Sequence, residues 1–242
     1  MPYFVGQTPV ANVDGMRLPL EQARGSRMDA IGGNARRAYF ADPERSNRPA
    51  LAKEVAPTTL QLPADRKTLP DLVNGPGSFN MRVSDKVRVA IELFEPDQHY
   101  FFPQQILKRD GEPWPEPYWG FTAGPSALVQ VMIVEQSPTL AWKLSDLGGR
   151  YIYCVDRYGD LRPISNASYD SATGFVLDEA AVRGRALVLE SVLRARHVFF
   201  FSDELVAELK LRKVRGFKFV RVRTEARQVP PYGETRGMGD VR

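Results

Sequence analysis

Apolar residues in this chain come in short runs between turn residues, and the pattern changes character near residue 80. Ala127 to Val134 and Tyr151 to Val155 read as buried strands, with Leu147-Gly148-Gly149 as the turn between them and Tyr158-Gly159-Asp160 as the turn after the second. Ala186 to Leu189 and Val198 to Phe201 are further strand candidates. Residues 1–80 are rich in Pro, Gly, Arg and Ala, with turn signals at Gly32-Gly33-Asn34, Asp42-Pro43 and Gly75-Pro76-Gly77. That stretch predicts short helices and irregular connections.

One pattern occurs twice. Met81-Arg82-Val83-Ser84-Asp85 leads into a helical stretch with Val87, Ile91 and Phe94 on one face, then into the aromatic run His99-Tyr100-Phe101-Phe102-Pro103. Phe199-Phe200-Phe201-Ser202-Asp203 leads likewise into a helical stretch with Leu205 and Leu209 on one face, then into Gly216-Phe217-Lys218-Phe219-Val220. Each copy reads strand, Ser-Asp, short helix, strand. A serine before the first helical turn accepts a hydrogen bond from an otherwise orphaned N–H, and an aspartate after it sits at the positive end of the helix dipole. Pro96 and Gly216 stand where each helix should have ended.

These elements predict an α+β fold, with a mixed or antiparallel sheet and short serine-capped helices after a Pro/Gly-rich N-terminal region. The expected division is a Pro/Gly/Arg-rich region over 1–80, packed on a main domain over 81–228, and a fraying tail over 229–242. A chain of 242 residues with 43% hydrophobic and 26% charged residues can bury a sizeable core. Its single cysteine, Cys154, rules out an intrachain disulfide, and Met1 to Gly15 has no basic stretch leading into an apolar run. A cytoplasmic protein is expected. The longest apolar run, Ala127 to Val134, is far short of the roughly 20 residues that span a bilayer, so no membrane partner is expected.

The chemistry-bearing residues are sparse. There is no phosphate-cradling loop, no HExxH helix and no dinucleotide glycine fingerprint; Gly124-Pro125-Ser126-Ala127-Leu128 departs from a nucleophile elbow at its last position. One cysteine and two histidines cannot close a Cys/His zinc site. The expectation is no catalytic residue, no metal and no cofactor. Cys154 with His99 or His197 is the one conceivable nucleophile and base pair, but Cys154 stands in the apolar strand pattern 151–155, where a thiol packs. Asp178-Glu179 and Asp203-Glu204 suit first turns of helices.

Charge is more telling. The net charge of +4 is small, yet Lys210 to Arg223 holds seven basic residues and no acidic one. Within it, Arg215 to Val222 resembles the aromatic RNA-recognition strand, with Lys218 in place of its second small residue and Val222 in place of its last aromatic. A helical stretch runs almost to its start, where that fold has a strand, so nucleic-acid binding is not the expectation. Strict alternation leaves neither face of this strand clean. A bulge near Phe219-Val220 would turn both aromatics and both valines inward. Lys213, Arg215, Lys218, Arg221 and Arg223 would then form an exposed cationic strip, the candidate partner-binding residues.

Val83-Ser84-Asp85, Glu92 to Pro96 and His99-Tyr100-Phe101-Phe102-Pro103 are similar to the central signature of a bacterial polymorphic-toxin immunity family, the eleventh numbered class, formerly a domain of unknown function. Val198 to Leu205 with Gly216-Phe217-Lys218-Phe219 resembles the same family's closing segment. The resemblance covers roughly 80–110 and 185–222. It implies an α+β protein that binds and blocks a cognate toxin protein in a stoichiometric complex, without catalysis. The alternatives are a binding or scaffold protein of another kind, or RNA binding through 215–223.

Overall fold

The computed structural model describes residues 3–7, 59–62, 67–74, 81–144, 150–155, 160–163, 172–190 and 199–228. In chain order the elements are β1 (Tyr3–Gln7), β2 (Thr59–Gln61), β3 (Leu72–Asn74), β4 (Met81–Ser84), α1 (Asp85–Phe94), β5 (Tyr100–Leu107) and β6 (Tyr118–Thr122). They continue with β7 (Leu128–Val129), β8 (Leu140–Leu144), β9 (Arg150–Val155), β10 (Leu161–Pro163), β11 (Val176–Asp178) and α2 (Glu179–Val182). The last are β12 (Leu187–Glu190), β13 (Phe199–Ser202), α3 (Asp203–Leu211), β14 (Lys218–Arg221) and β15 (Arg223–Glu225). The fold is α+β, as the sequence predicts. The turns at 32–34, 42–43, 75–77, 147–149 and 158–159 and the tail 229–242 lie outside the described residues.

Two compact units share the chain: one takes Met1–Gln7, Ser126–Ala207 and Lys218–Arg242, the other Thr8–Pro125 and Glu208–Phe217. Residues 1–80, expected as short helices and irregular connections, supply β1 to the first unit and β2 and β3 to the second. These strands have three to five residues, too few for periodicity to reveal.

The second unit has a five-stranded sheet in the order β2-β5-β6-β4-β3. Helix α1 lies on β4 and β6 and buries Val87, Ala90 and Ile91. Phe94, expected on that inner face, is instead 37% exposed, because it ends the helix where the chain turns away at Glu95 and Pro96. On the sheet, Leu60, Leu62, Leu69, Val73, Ile106 and Tyr118 form a core. Strand β5 runs well past the expected His99–Pro103. It tolerates Pro103 at a level that β2, paired only with Gln105–Leu107, does not reach.

In the first unit, the sheet β14-β1-β13-β12-β7 joins a three-stranded β10-β9-β8 sheet and a parallel β11-β15 pair. Its core gathers Val131, Met132, Leu140, Cys154, Phe175, Leu177, Val188 and Phe200. The run Ala127 to Val134, expected as one strand, is broken, buried at Ala127 and Val131–Val134 and half-buried between them. It holds a 3-10 turn at Pro125–Ala127, two residues of β7 and a second 3-10 turn at Val134–Gln136. The cause is polar. Buried Glu190 accepts the N–H groups of Val131 and Met132 at 3.0 and 2.7 Å, so only an isolated bridge between Met132 and Leu177 forms beside them.

The sequence echo is a topological repeat. β4 and β5 each pair antiparallel with β6 between them, so β4-α1-β5 is a crossover with a strand inserted. β13 and β14 each pair antiparallel with β1 in the same way, around α3. Even the registers correspond: Tyr118 stands opposite Ser84, and Tyr3 opposite Ser202.

The two serines differ. Ser202 caps α3, its Oγ accepting the Leu205 N–H at 3.2 Å. Ser84 occupies the equivalent position but makes no cap, contrary to expectation: its hydroxyl instead donates to buried Asp71 Oδ1 at 2.6 Å. Ser202→Ala should cost about 1 kcal/mol through loss of the cap, read as a shift in denaturant midpoint with unchanged slope.

Candidate functional site

The basic segment begins at the end of α3. Lys213 N–H donates to Lys210 C=O at 2.9 Å and Val214 N–H to Leu209 C=O at 3.0 Å, the paired bonds of a Schellman stop. That stop needs a left-handed residue, and here it is Lys213, at φ 54°. Glycine is the usual occupant, since a Cβ in this conformation costs about 1–2 kcal/mol. Gly216, expected as the stop, serves a later turn. It has φ 93°, and an added Cβ would lie 2.6 Å from Pro70 Cβ. Lys213→Gly should therefore raise stability by about 1 kcal/mol, measured by chemical denaturation.

Between them, Arg215 is anchored by its backbone and exposed by its side chain. Its N–H donates to Asp71 Oδ2 at 2.6 Å and its C=O accepts the Asp71 N–H at 2.9 Å. Lys213 and Arg215 belong to the second unit; Lys218, Arg221 and Arg223 belong to the first. Lys218 stands opposite Gln7, and Arg221 and Arg223 are exposed, the latter 3.5 Å from Glu225.

The expected bulge at Phe219-Val220 is absent. β14 pairs with β1 in unbroken register from Lys218 to Arg221, and the chain then breaks at Val222 to join β11 as β15. No bulge is needed because apolar groups line both faces: Phe219 meets Phe201 at 6.1 Å, while Val220 packs against the core that contains Phe200 and Val222. Phe219, the ring that an RNA strand would offer to a base, is thus engaged by another ring.

The candidate catalytic groups are held in structural roles. Cys154 is buried, and burial pushes its thiol up to about 12, away from the thiolate a nucleophile needs. His99 has both ring nitrogens occupied: Nδ1 accepts the Gly124 N–H at 3.2 Å, which leaves Nε2 to donate to Glu95 Oε2 at 2.6 Å. The two side chains are only 1% and 7% exposed. His197 lies outside the described residues. Asp178 does open α2, accepting the Ala180 N–H, and its other oxygen pairs with Arg227 at 2.8 Å. Asp203 and Glu204 open α3. Among the described residues, no three His, Cys, Asp or Glu side chains gather to hold a metal, and no helix is long and apolar enough to cross a membrane.

Sequence reasoning missed Asp71, which joins the basic segment to Ser84 across 144 and 13 residues of chain. It also missed a surface cluster on α1. Asp85 Oδ1 accepts from Trp119 Nε1 at 3.0 Å and Arg88 Nε at 3.2 Å, with the Arg88 guanidinium 4.1 Å over the Trp119 ring. A cleft of about 520 Å³ lies between β5 and the segment Trp114-Pro115-Glu116-Pro117. Gln104, one of its lining residues, accepts from the buried Arg82 at 3.4 Å, and burial lowers the Arg82 guanidinium to about 10, still charged at neutral pH. No local signal announces contacts between residues so distant in sequence. Compared with known proteins, the chain matches no family model and no curated protein.

Proposed function

We propose that this protein is an immunity-type binder that neutralises a cognate bacterial toxin through a stoichiometric complex in the cytoplasm, with no turnover. The observation that carries the reading is the placement of the signature residues. Val83-Ser84-Asp85, Glu92 to Pro96 and His99 to Pro103 fall on β4, α1, the turn after it and β5, and the closing segment from Phe199 falls on β13, α3 and β14. Motif residues that serve as scaffold, with Cys154 and His99 committed to packing and hydrogen bonding, suit a protein that acts by contact. The candidate partner contacts are Lys213 and Arg215 in the second unit and, taken by themselves, Arg221 and Arg223 in the first. A strained Lys213 where glycine is at ease supports this, because strain retained in a fold is a mark of use.

Coexpression with the toxin encoded beside it is expected to rescue growth only near or above equimolar protein. Rescue at strongly substoichiometric levels would overturn the reading in favour of an enzyme. In purified proteins, reversing charge at Lys213, Arg215, Arg221 and Arg223 should slow association by about ten-fold or more at low salt and flatten its salt dependence. Unchanged association by the folded variant would remove these residues from the interface.

A further inference from the structure

The ladder between β5 and β6 is interrupted at one level. Gln104 stands opposite Tyr118, and the next bridge pairs Leu107 with Pro113, with the Trp114 N–H donating to Ile106 C=O at 2.7 Å. Between those pairs β5 has two residues, 105 and 106, and the returning chain has four, 114–117. Proline dictates this bulge. Pro115 and Pro117 have no N–H to give a ladder, and each restricts the residue before it to extended backbone, so Trp114-Pro115-Glu116-Pro117 stands as a stiff wall beside β5. The space it leaves is the cleft of about 520 Å³, a size that suits a ligand of a few residues.

The lining offers a particular chemistry. Along β5, Gln104 and Ile106 turn to the buried face of the sheet, where Arg82 donates to Gln104, while Pro103 and Gln105 alternate to the exposed side. The exposed lining is therefore Pro103, Pro115 and Pro117 as apolar walls, with Gln105 and Glu116 as polar groups. Gln105 Oε1 accepts the Thr59 hydroxyl at 3.4 Å. Glu116 is the single ionisable side chain in the lining, and no cation among the described residues pairs with it. Trp114 Nε1, in the same wall, is buried without an acceptor. We propose that this cleft is a binding site for an extended peptide segment carrying an arginine, with the guanidinium on Glu116 and the alkyl stem along the prolines. Arginine suits the site better than lysine, because its planar head meets a carboxylate through two N–H groups at once and is more weakly hydrated. An extended segment suits it because the wall and the strand are themselves extended, and a peptide held so by its own prolines loses little freedom on entry. Its carbonyl groups supply the acceptor that Trp114 Nε1 lacks. The cleft lies wholly in the second unit and holds none of the basic candidate residues, so the proposal does not depend on the function above.

The test titrates the full-length chain with the peptide Ala-Pro-Pro-Arg-Pro-Pro-Ala, blocked at both ends, and follows the indole N–H resonances by NMR. Saturable movement of the Trp114 resonance is expected, with that of Trp142, in the first unit, unmoved. Glu116→Gln, a change to an exposed side chain, should weaken binding by about five-fold or more, and so should a peptide with uncharged citrulline in place of arginine, tested on the unmodified chain. The two changes together should cost no more than either alone, since both remove the same pair. A Trp114 resonance that does not move to saturation would overturn the site. Losses that multiply when the two changes are combined would overturn the pairing of arginine with Glu116. Arginine amide bound as tightly as the peptide would overturn the extended ligand.

Discussion

Asp71→Ala is expected to remove about 4 kcal/mol of stability, since a buried carboxylate with two strong hydrogen bonds is lost and its donors are stranded. Its Oδ1 receives the Ser84 hydroxyl and its Oδ2 the Arg215 N–H, both at 2.6 Å, and the residue is only 4% exposed. Its backbone exchanges further bonds with Arg215 and Ser84, which survive the change and keep the loss below outright unfolding. Ser84→Ala alone should cost about 2 kcal/mol, because one bond goes and one carboxylate oxygen loses its donor. A double-mutant cycle should then show strong coupling: with Asp71 gone, Ser84→Ala should cost well under 1 kcal/mol more. Additive losses would mean that the hydroxyl has another partner.

Gly124→Ala is expected to destabilise by about 3–5 kcal/mol, combining overpacking with a lost buried hydrogen bond. An added Cβ would sit 1.8 Å from the carbonyl oxygen of Gln98, and backbone cannot swing aside as a long side chain can. Whichever segment yields, the Gly124 N–H moves off His99 Nδ1 and the imidazole loses the contact that sets its tautomer. Gly120→Ala, where the Cβ would meet the Phe102 ring at 2.1 Å, should be milder if that ring can rotate. Thermal unfolding of the two variants separates the cases, and a Gly124→Ala protein as stable as the parent would refute the close approach.

How much could be read beforehand depends on how locally each feature is encoded. α1, α3, β13 and the Ser202 cap follow from spacing and capping chemistry within ten residues, and all were legible. Ser84 carries the same local grammar and yet serves Asp71, a choice made by a residue thirteen positions upstream. The run 127–134 has the composition of a strand but is broken beside Glu190, whose carboxylate accepts two of its N–H groups from 58 and 59 residues away. For the basic segment, the charge was visible and the exposure of Arg221 and Arg223 agrees with it. The unbroken register of β14 was not visible, because nothing local says that apolar groups cover both faces of that strand.

The long separation between β1 and its neighbours also sets a schedule for folding. Tyr3 pairs with Ser202 and Phe4 with Arg221, contacts spanning about 200 residues, of the kind that slows folding by their closure entropy. At bacterial and eukaryotic synthesis rates of about 5–20 residues per second, roughly 10–40 s pass on the ribosome between the making of β1 and the making of β14. The other crossover, β4 to β6, lies within about forty residues and can close soon after it emerges. The chain is thus expected to acquire its two similar modules in sequence, the first soon after β6 emerges and the second only once β14 has been made.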